Sequence, residues 1–263
     1  MISLPKDIPS AAALRGEGYY VVEYDPGEIS ASSRQQTADV YIAFLNLMPE
    51  KEQALMDICR VLDAENFCVC LVPLKFRGRS YKVASQQYME QFYTDVETID
   101  PSHFDALLIN GAPVEKIPFE AVDYWASLCN LMDDFSRSRM PQLYICWAAQ
   151  AALYHFYGVP KYLLPEKCFG IFRHDVSADF RQSWGIADKE LFFPVSRHTE
   201  VRASDIAAHP TLAIAASSDE SGVGIVTDES TRRTFITAHS EYDRERLGVE
   251  YRRDVVPIHF GGH

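Results

Sequence analysis

Between residues 40 and 157 the sequence alternates four times between a short apolar run and a longer stretch whose apolar residues recur at helical spacing. This rhythm constrains the fold more than any other feature. A strand buried on both faces reads as a continuous apolar run, and a helix covering it needs one apolar face. The apolar runs are Val40-Tyr-Ile-Ala-Phe-Leu-Asn-Leu, Phe67-Cys-Val-Cys-Leu-Val-Pro-Leu, Phe104-Asp-Ala-Leu-Leu-Ile-Asn and Gln142-Leu-Tyr-Ile-Cys146. Between them, Pro49 opens a helix faced by Ala54, Leu55, Ile58, Val61 and Leu62. A second helix is predicted from Gln86 to about Ile99. A third carries Phe119, Val122, Ala126, Cys129 and Met132, and a fourth runs from Trp147 to Tyr157. The expected fold is α/β: a doubly wound, mostly parallel sheet with helices on both faces. After Gly158 the rhythm changes. Gly170-Ile-Phe, Leu212-Ala-Ile-Ala-Ala, Gly222-Val-Gly-Ile-Val-Thr and Arg233-Thr-Phe-Ile-Thr-Ala suggest antiparallel strands added to the sheet, with a helix from about Tyr242 to Arg253. Residues 1–37 lack a regular pattern, and the polar, turn-rich segment from Asp25 reads as part of an N-terminal arm. Residues 38–263 are then a single α/β domain.

With 263 residues, 47% hydrophobic and 24% charged, the chain can bury a sizeable core and falls outside the disordered and fibrous classes. A net charge of −12 repels nucleic acid and anionic membrane, so neither is an expected partner. There is no apolar stretch of the ~18–20 residues a membrane span needs. The start, Met1-Ile-Ser-Leu-Pro-Lys, lacks the pattern of a secretory signal, so a cytoplasmic location is expected. Six cysteines with no C-x-x-C spacing fit neither a zinc ribbon nor a disulfide scaffold. No metal is expected, and most of the cysteines read as free core thiols.

Cys146 is the exception. It falls at the carboxyl end of a predicted strand, where open α/β sheets bind ligands, and directly before a helix. The helix N-terminus offers backbone N–H groups, that of Trp147 first, and a positive dipole end. Both favour a thiolate and can form an oxyanion hole. Asn110-Gly-Ala-Pro is a second polar feature at a strand end. His239, followed by Glu241, comes after the apolar run at Phe235 and can bring a base and its orienting carboxylate together. A thiol, an imidazole and a carboxylate are what acyl-thioester chemistry requires. His103, His155, His174 and His209 have no comparable setting and read as ordinary surface or core histidines; His198, next to Ser196 and Arg197, is left open.

These residues carry a resemblance. The segments Leu45-Asn-Leu-Met-Pro49, Asn110-Gly-Ala-Pro-Val-Glu115, Tyr124-Trp125, Cys146-Trp-Ala-Ala-Gln-Ala-Ala-Leu, Tyr157-Gly-Val-Pro-Lys161, Glu166-Lys167, Ser196-Arg197, Ala238-His-Ser-Glu-Tyr-Asp243 and Arg253-Asp254 follow one another in family order. Over most of its length the chain resembles the homoserine O-acyltransferases of methionine biosynthesis. Their fold is similar to class I glutamine amidotransferases. The resemblance implies that Cys146 takes the acyl group from an acyl-CoA as a thioester, in a ping-pong sequence. His239 would be general base and acid, Glu241 its orienting partner, and Arg253 the ligand of the substrate carboxylate. Lys167 and Ser196 would line the substrate pocket. Apart from the resemblance, Arg253 sits in a charged helix that reads as a solvated face. Acyl-CoA is a co-substrate, so no cofactor is implied. Family members are often dimers, which makes a homodimer the expected assembly.

Glu115 bears on the donor. In this family a glutamate after Gly-Ala-Pro-x goes with acetyl-CoA and a glycine with succinyl-CoA. A carboxylate there fills space and repels the succinyl carboxylate. Acetyl transfer to L-homoserine is therefore expected, with L-serine the alternative acceptor, because one methylene changes binding by only ~1–3 kcal/mol. Three departures from the family pattern bear on the acceptor pocket rather than the triad. The sequence ends at His263, where typical members continue. Glu50-Lys51-Glu52-Gln-Ala replaces a Lys and Thr-Glu pattern, and Ala238-His-Ser-Glu replaces Gly-His-Pro-Glu. An amidotransferase-like hydrolase would share the triad, but Ile145 and Trp147 flank Cys146 where amidotransferases have glycines. A non-catalytic binding protein would have no use for all three triad residues.

Overall fold

A computed structural model describes residues 1–29, 38–243 and 245–255, with the side chains of 28, 29 and 253–255 excepted. Twelve strands form one sheet: β1 (Ile2–Pro5), β2 (Val21–Tyr24), β3 (Val40–Leu45), β4 (Val69–Lys75), β5 (Thr94–Asp95), β6 (Ala106–Ile109), β7 (Gln142–Ile145), β8 (Tyr162–Val176), β9 (Glu190–Glu200), β10 (Ala213–Ser218), β11 (Gly222–Asp228) and β12 (Arg233–Ile236). The helices are α1 (Pro9–Gly16), α2 (Pro26–Ile29), α3 (Lys51–Leu62), α4 (Gln86–Phe92), α5 (Trp125–Arg137), α6 (Trp147–Tyr157), α7 (Ala178–Trp184), α8 (Ala203–Ala207) and α9 (Arg246–Val255). The strand order is β2-β1-β4-β3-β6-β7-β12-β11-β10-β8-β9, with β5 paired to β4.

From β2 to β12 every neighbouring pair is parallel, and from β12 to β9 every pair is antiparallel. The alternation of side chains along β3 shows how the helices cover both faces. Tyr41, Ala43 and Leu45 join a core that includes Leu128, Met132 and Phe135 of α5 and nearly all of α6. Ile42 and Phe44 join a second core on the other face with Leu14 of α1, Leu55 and Ile58 of α3 and Met89 of α4. A fully buried Leu or Phe contributes about 1.5–3 kcal/mol, so two such layers fix the register of the parallel half. Helix α6 is apolar nearly all round because it is buried all round, from Trp147 to Leu153.

Four sequence expectations are corrected. The helix expected from Gln86 to about Ile99 ends at Phe92, and the chain then pairs as β5 with β4. Residues 1–37 are not an arm over their described part. β1 lies inside the sheet between β2 and β4, and Ile2 and Leu4 are fully buried. Ser3 and Pro5 interrupt the apolar residues of β1, and Glu23 those of β2, so neither reads as a continuous buried run; the remainder, residues 30–37, lies outside the described residues. Next, β12 is not purely antiparallel: it pairs in parallel with β7 and antiparallel with β11, and so joins the two halves. Finally, Gly170-Ile-Phe is the middle of a 15-residue strand, and its partner β9 has no counterpart in the sequence reading. β8 is mostly half-buried or exposed, with Leu163 and Ile171 exposed, and the buried residues of β9 include the polar Ser196, Arg197 and Thr199, so neither shows a buried apolar pattern. Among the described residues no helix is long and apolar enough to cross a membrane.

Gly224 on β11 shows how tightly the antiparallel half is packed. A Cβ there would lie 2.4 Å from Cδ2 of the fully buried His174. Gly224→Ala is therefore expected to lower the unfolding free energy by about 1–3 kcal/mol, the usual cost of overpacking. A urea titration with an unchanged midpoint would show that the strands can separate to accept a methyl group.

Candidate active site

The carboxyl ends of β3, β6, β7 and β12 lie side by side, and the chain leaves each of them through residues that converge on one cavity. Its volume is about 820 Å³. At the end of β7, Cys146 turns the chain directly into α6 with φ 55° and ψ −120°. Positive φ is uncommon for a residue other than glycine. The conformation is held from both sides. The Cys146 N–H donates to the Ile236 carbonyl of β12 at 2.7 Å, and its own carbonyl accepts from Ala149 at 3.1 Å and Gln150 at 3.3 Å. The thiol is thereby lifted onto the cavity floor beside the first N–H groups of α6, which have no partner within the helix.

Gly111 backs this turn. A Cβ at Gly111 would stand 3.1 Å from Cys146 Cβ and 3.3 Å from the Trp147 nitrogen, so the loop of residues 110–113 presses its bare backbone against the elbow. Two asparagines latch that loop. Asn110 Oδ1 accepts from the Leu47 N–H at 2.7 Å, and Asn110 Nδ2 donates to Asn46 Oδ1 at 3.1 Å. Asn46 Nδ2 donates in turn to the Lys51 carbonyl and to the Tyr93 hydroxyl. The Lys51 ammonium is buried against the Asn46 carbonyl, and burial, with Arg79 nearby, brings its pKa down to about 7.

β12 delivers the histidine. Ile236 is level with Ile145 in the parallel register, and three residues later His239 reaches the cavity with its N–H donated to the Pro194 carbonyl. His239 Nδ1 lies 2.7 Å from Glu241 Oε1, and both side chains are buried. The geometry suits an Nδ1–H donated to the carboxylate, which leaves Nε2 for other work. The ring stacks on Tyr242 at 4.0 Å between centroids. Burial opposes a charge on His239, but the negative charges of Cys146 and Glu241 and their hydrogen bonds outweigh it. The imidazolium is held well above the usual histidine range.

The antiparallel half supplies the opposite wall. In the β8–β9 ribbon, Leu163 pairs with Thr199 and Cys168 with Arg197, so residues 164–167 bulge out opposite His198 alone. Bulges re-aim side chains, and this one turns Lys167 into the cavity, 4.0 Å from Glu250. Ser196 donates to the same Glu250 carboxylate, and the Tyr242 hydroxyl donates to its other oxygen at 2.5 Å. Glu115 stands in the cavity wall, its Oε2 accepting from the His198 N–H at 2.9 Å.

The structure thus brings together Cys146, the Trp147 backbone, His239, Glu241, Glu115, Lys167 and Ser196. Arg253 falls within α9, but its side chain lies outside the described residues. Glu250 and Tyr242 were missed in the sequence. The charged pattern of α9 reads as a solvated face, yet Arg246 and Glu250 are both buried on its inner side. Their i,i+4 spacing was the available signal, since it puts them on one face of a helix. Arg246 donates to Glu50 at 2.7 Å and so ties α9 to the segment after β3. His198 lines the cavity, whereas His155 pairs with Asp133 and His174 lies buried between Ser221 and the Phe172 carbonyl. Among the described residues no cluster of three or more His, Cys, Asp or Glu is placed to hold a metal ion.

Known proteins share this architecture and sequence. A glutamine amidotransferase from Thermotoga maritima superposes with a TM-score of 0.55 at 12% identity, over 82% of this chain and 84% of its own. Another, from Methylobacillus flagellatus, gives 0.54 at 12% identity, over 81% of this chain and 74% of its own. At such identities the likeness is one of fold, a mixed α/β sheet of the class I amidotransferase kind. Sequence relatives lie much nearer. A homoserine O-acetyltransferase of Geobacillus kaustophilus is 40% identical over 261 residues, 98% of this chain and 85% of that protein. One from Parabacteroides distasonis is 39% identical over 254 residues, 97% of this chain and 80% of its own length. The family model described as homoserine O-succinyltransferase matches residues 1–259. The chain therefore belongs to the homoserine O-succinyltransferase family of acyltransferases.

Proposed function

We propose that this protein transfers the acetyl group of acetyl-CoA to the side-chain hydroxyl of L-homoserine through a thioester on Cys146. The observation that carries the reading is the convergence of Cys146, His239 and Glu241 on the floor of one cavity whose wall holds Glu115. The cavity volume falls in the usual range for small-molecule sites. The names of the relatives favour acetyl over succinyl transfer, and Glu115 gives a physical reason. A fixed carboxylate in the donor wall repels the terminal carboxylate of a succinyl group and leaves an acetyl group undisturbed.

In the first half-reaction the Cys146 thiolate attacks the thioester carbonyl. The tetrahedral oxyanion is received by the Trp147 N–H and by the amide backbone that Gly111 brings against the elbow. The carbon–sulfur bond to CoA breaks, and the His239 imidazolium gives its proton to the departing thiolate. In the second half-reaction His239 Nε2 takes the proton of the acceptor hydroxyl as its oxygen attacks the acyl-enzyme. The new ester forms, and Cys146 leaves as a thiolate. Glu241 holds the ring through Nδ1 and stabilises its positive form in both steps. Lys167, Ser196 and Glu250 border the acceptor side of the cavity, and the family resemblance implies Arg253 as the ligand of the substrate carboxylate.

Incubation with radiolabelled acetyl-CoA alone is expected to leave one acetyl group per chain on Cys146, with parallel initial-rate plots. Cys146→Ala is expected to lose the label and to lower kcat by on the order of 10^4–10^6-fold; a variant that keeps turnover removes the thioester from the mechanism. Glu241→Gln deletes the charge that favours the imidazolium, so His239 gives up its proton at lower pH. Alkylation of Cys146 by iodoacetamide near neutral pH is then expected to slow by about tenfold or more, since a neighbouring opposite charge moves a pKa by about 1–3 units. An unchanged pH profile would leave Glu241 without that role. Glu115→Gly is expected to raise the ratio of succinyl-CoA to acetyl-CoA turnover, as kcat/KM, by about 30-fold, equivalent to ~2 kcal/mol of like-charge repulsion removed. The same assay run with L-homoserine and L-serine decides the acceptor, and a larger kcat/KM for L-serine overturns that part of the reading.

A further inference from the structure

Lys161 lies outside the triad, between the end of α6 and the start of β8, yet it reaches back to the loop that carries Glu115. Gly158, in the left-handed conformation at φ 68°, ends α6 and turns the chain. Three residues on, the Lys161 ammonium donates to the Glu115 carbonyl at 2.6 Å and to the Ile117 carbonyl at 2.7 Å. It also lies 4.2 Å from the ring centroid of Phe119, within the range of a cation–π contact. Phe119 is buried and stacks on Tyr154 of α6 at 4.9 Å and on Trp125 of α5 at 5.4 Å, so the ring is a fixed platform. The front of the loop is anchored by Asn110 and by Ala112 and Val114 at the core, and Lys161 meets the part beyond them. Pro113 and residues 116–118 are exposed, and its internal bonds are two turn contacts, Val114 to Ala112 and Ile117 to Val114.

We propose that Lys161 is a positioning residue for donor selection, whose ammonium pins residues 115–117 to Phe119 and so keeps the Glu115 carboxylate in the cavity wall. The inference rests on the reading of Glu115 as the residue that selects the donor. Glu115 is clamped at two points, at its carbonyl by Lys161 and at its carboxylate by the His198 N–H. A carboxylate on a loop free at its backbone can swing toward solvent, where its charge is screened and its repulsion of a second carboxylate fades. Partial burial brings the Lys161 pKa down to about 8, against the pull of Glu115 and Glu120. The ammonium spends its donors on two carbonyls, an arrangement that orders backbone rather than neutralising a carboxylate.

The test is kcat/KM for acetyl-CoA and for succinyl-CoA in five proteins: wild type, Lys161→Met, Lys161→Arg, Glu115→Gly, and Lys161→Met combined with Glu115→Gly. Lys161→Met is expected to raise the succinyl-to-acetyl ratio about tenfold, the scale of losing charge-assisted hydrogen bonds. Lys161→Arg, which can still donate to both carbonyls, is expected to stay within about twofold of wild type. In the Glu115→Gly background the loss of Lys161 should leave the ratio where it is, because the two act through one group. An equal fall with both donors, or the same ratio change in both backgrounds, overturns the proposal and leaves Lys161 a structural residue. Should Glu115→Gly by itself leave the ratio unaltered, the reading of Glu115 fails first. If Lys161→Met does not fold, Lys161→Gln takes its place in the same comparison.

Discussion

A cysteine held at φ 55° between a strand and a helix is the constraint on which the rest of this structure depends. Such a backbone costs on the order of 1–3 kcal/mol and persists only where its surroundings over-determine it. Here they do. β7 is fixed in register on both sides by β6 and β12, and α6 is buried over nearly its whole surface. The elbow cannot relax without pulling α6 out of the core or β7 out of the sheet. Gly111 completes the arrangement, because only a residue without a side chain lets the loop after β6 rest against the turn. The stability of the parallel half is thus turned into a fixed direction for one sulfur atom and one N–H group.

The site joins two halves with different work. The parallel half gives Cys146, the first N–H groups of α6 and the Glu115 loop, all at strand ends in the place open α/β sheets reserve for ligands. The antiparallel half gives Lys167, Ser196 and His198 from a bulged ribbon. β12, parallel to β7 on one side and antiparallel to β11 on the other, brings His239 to the seam. Helix α9 then closes one side, with Arg246 bound to Glu50 and Glu250 turned inward to Ser196 and Tyr242. A carboxylate between a lysine and two hydroxyls gathers charge and hydrogen bonds in one wall of the cavity.

Much of this was legible in the sequence, for a physical reason. Buried parallel strands and the helices over them must be apolar in a fixed rhythm, and residues 40–157 show it; the strand and helix around Cys146 fall within a residue of where the pattern puts them. The pairing of Cys146 with His239 and Glu241 was also readable, through the chemistry those side chains share and through family motifs. The pattern failed where polar residues interrupt the buried runs. β1 and β2 break their apolar residues with Ser3, Pro5 and Glu23, so they show no continuous buried run. β9 buries Ser196, Arg197 and Thr199 along with Val195, so its buried stretch carries no apolar pattern and gave no signal. α9 read as a charged surface because its buried polar residues look the same in sequence as exposed ones.

By itself, then, the sequence determined the fold class, the elbow cysteine, and the histidine and carboxylate that meet it. These follow from local pattern, from residue types that thiol chemistry uses together and from the family motifs they belong to. The tertiary structure alone decided which polar residues become partners across the cavity. Glu250 meets Ser196 and Tyr242, Asn110 meets Asn46, and Lys161 meets the carbonyls of Glu115 and Ile117. Contacts between residues so far apart in the chain leave no periodicity behind; they exist only once the sheet has brought its strand ends into register.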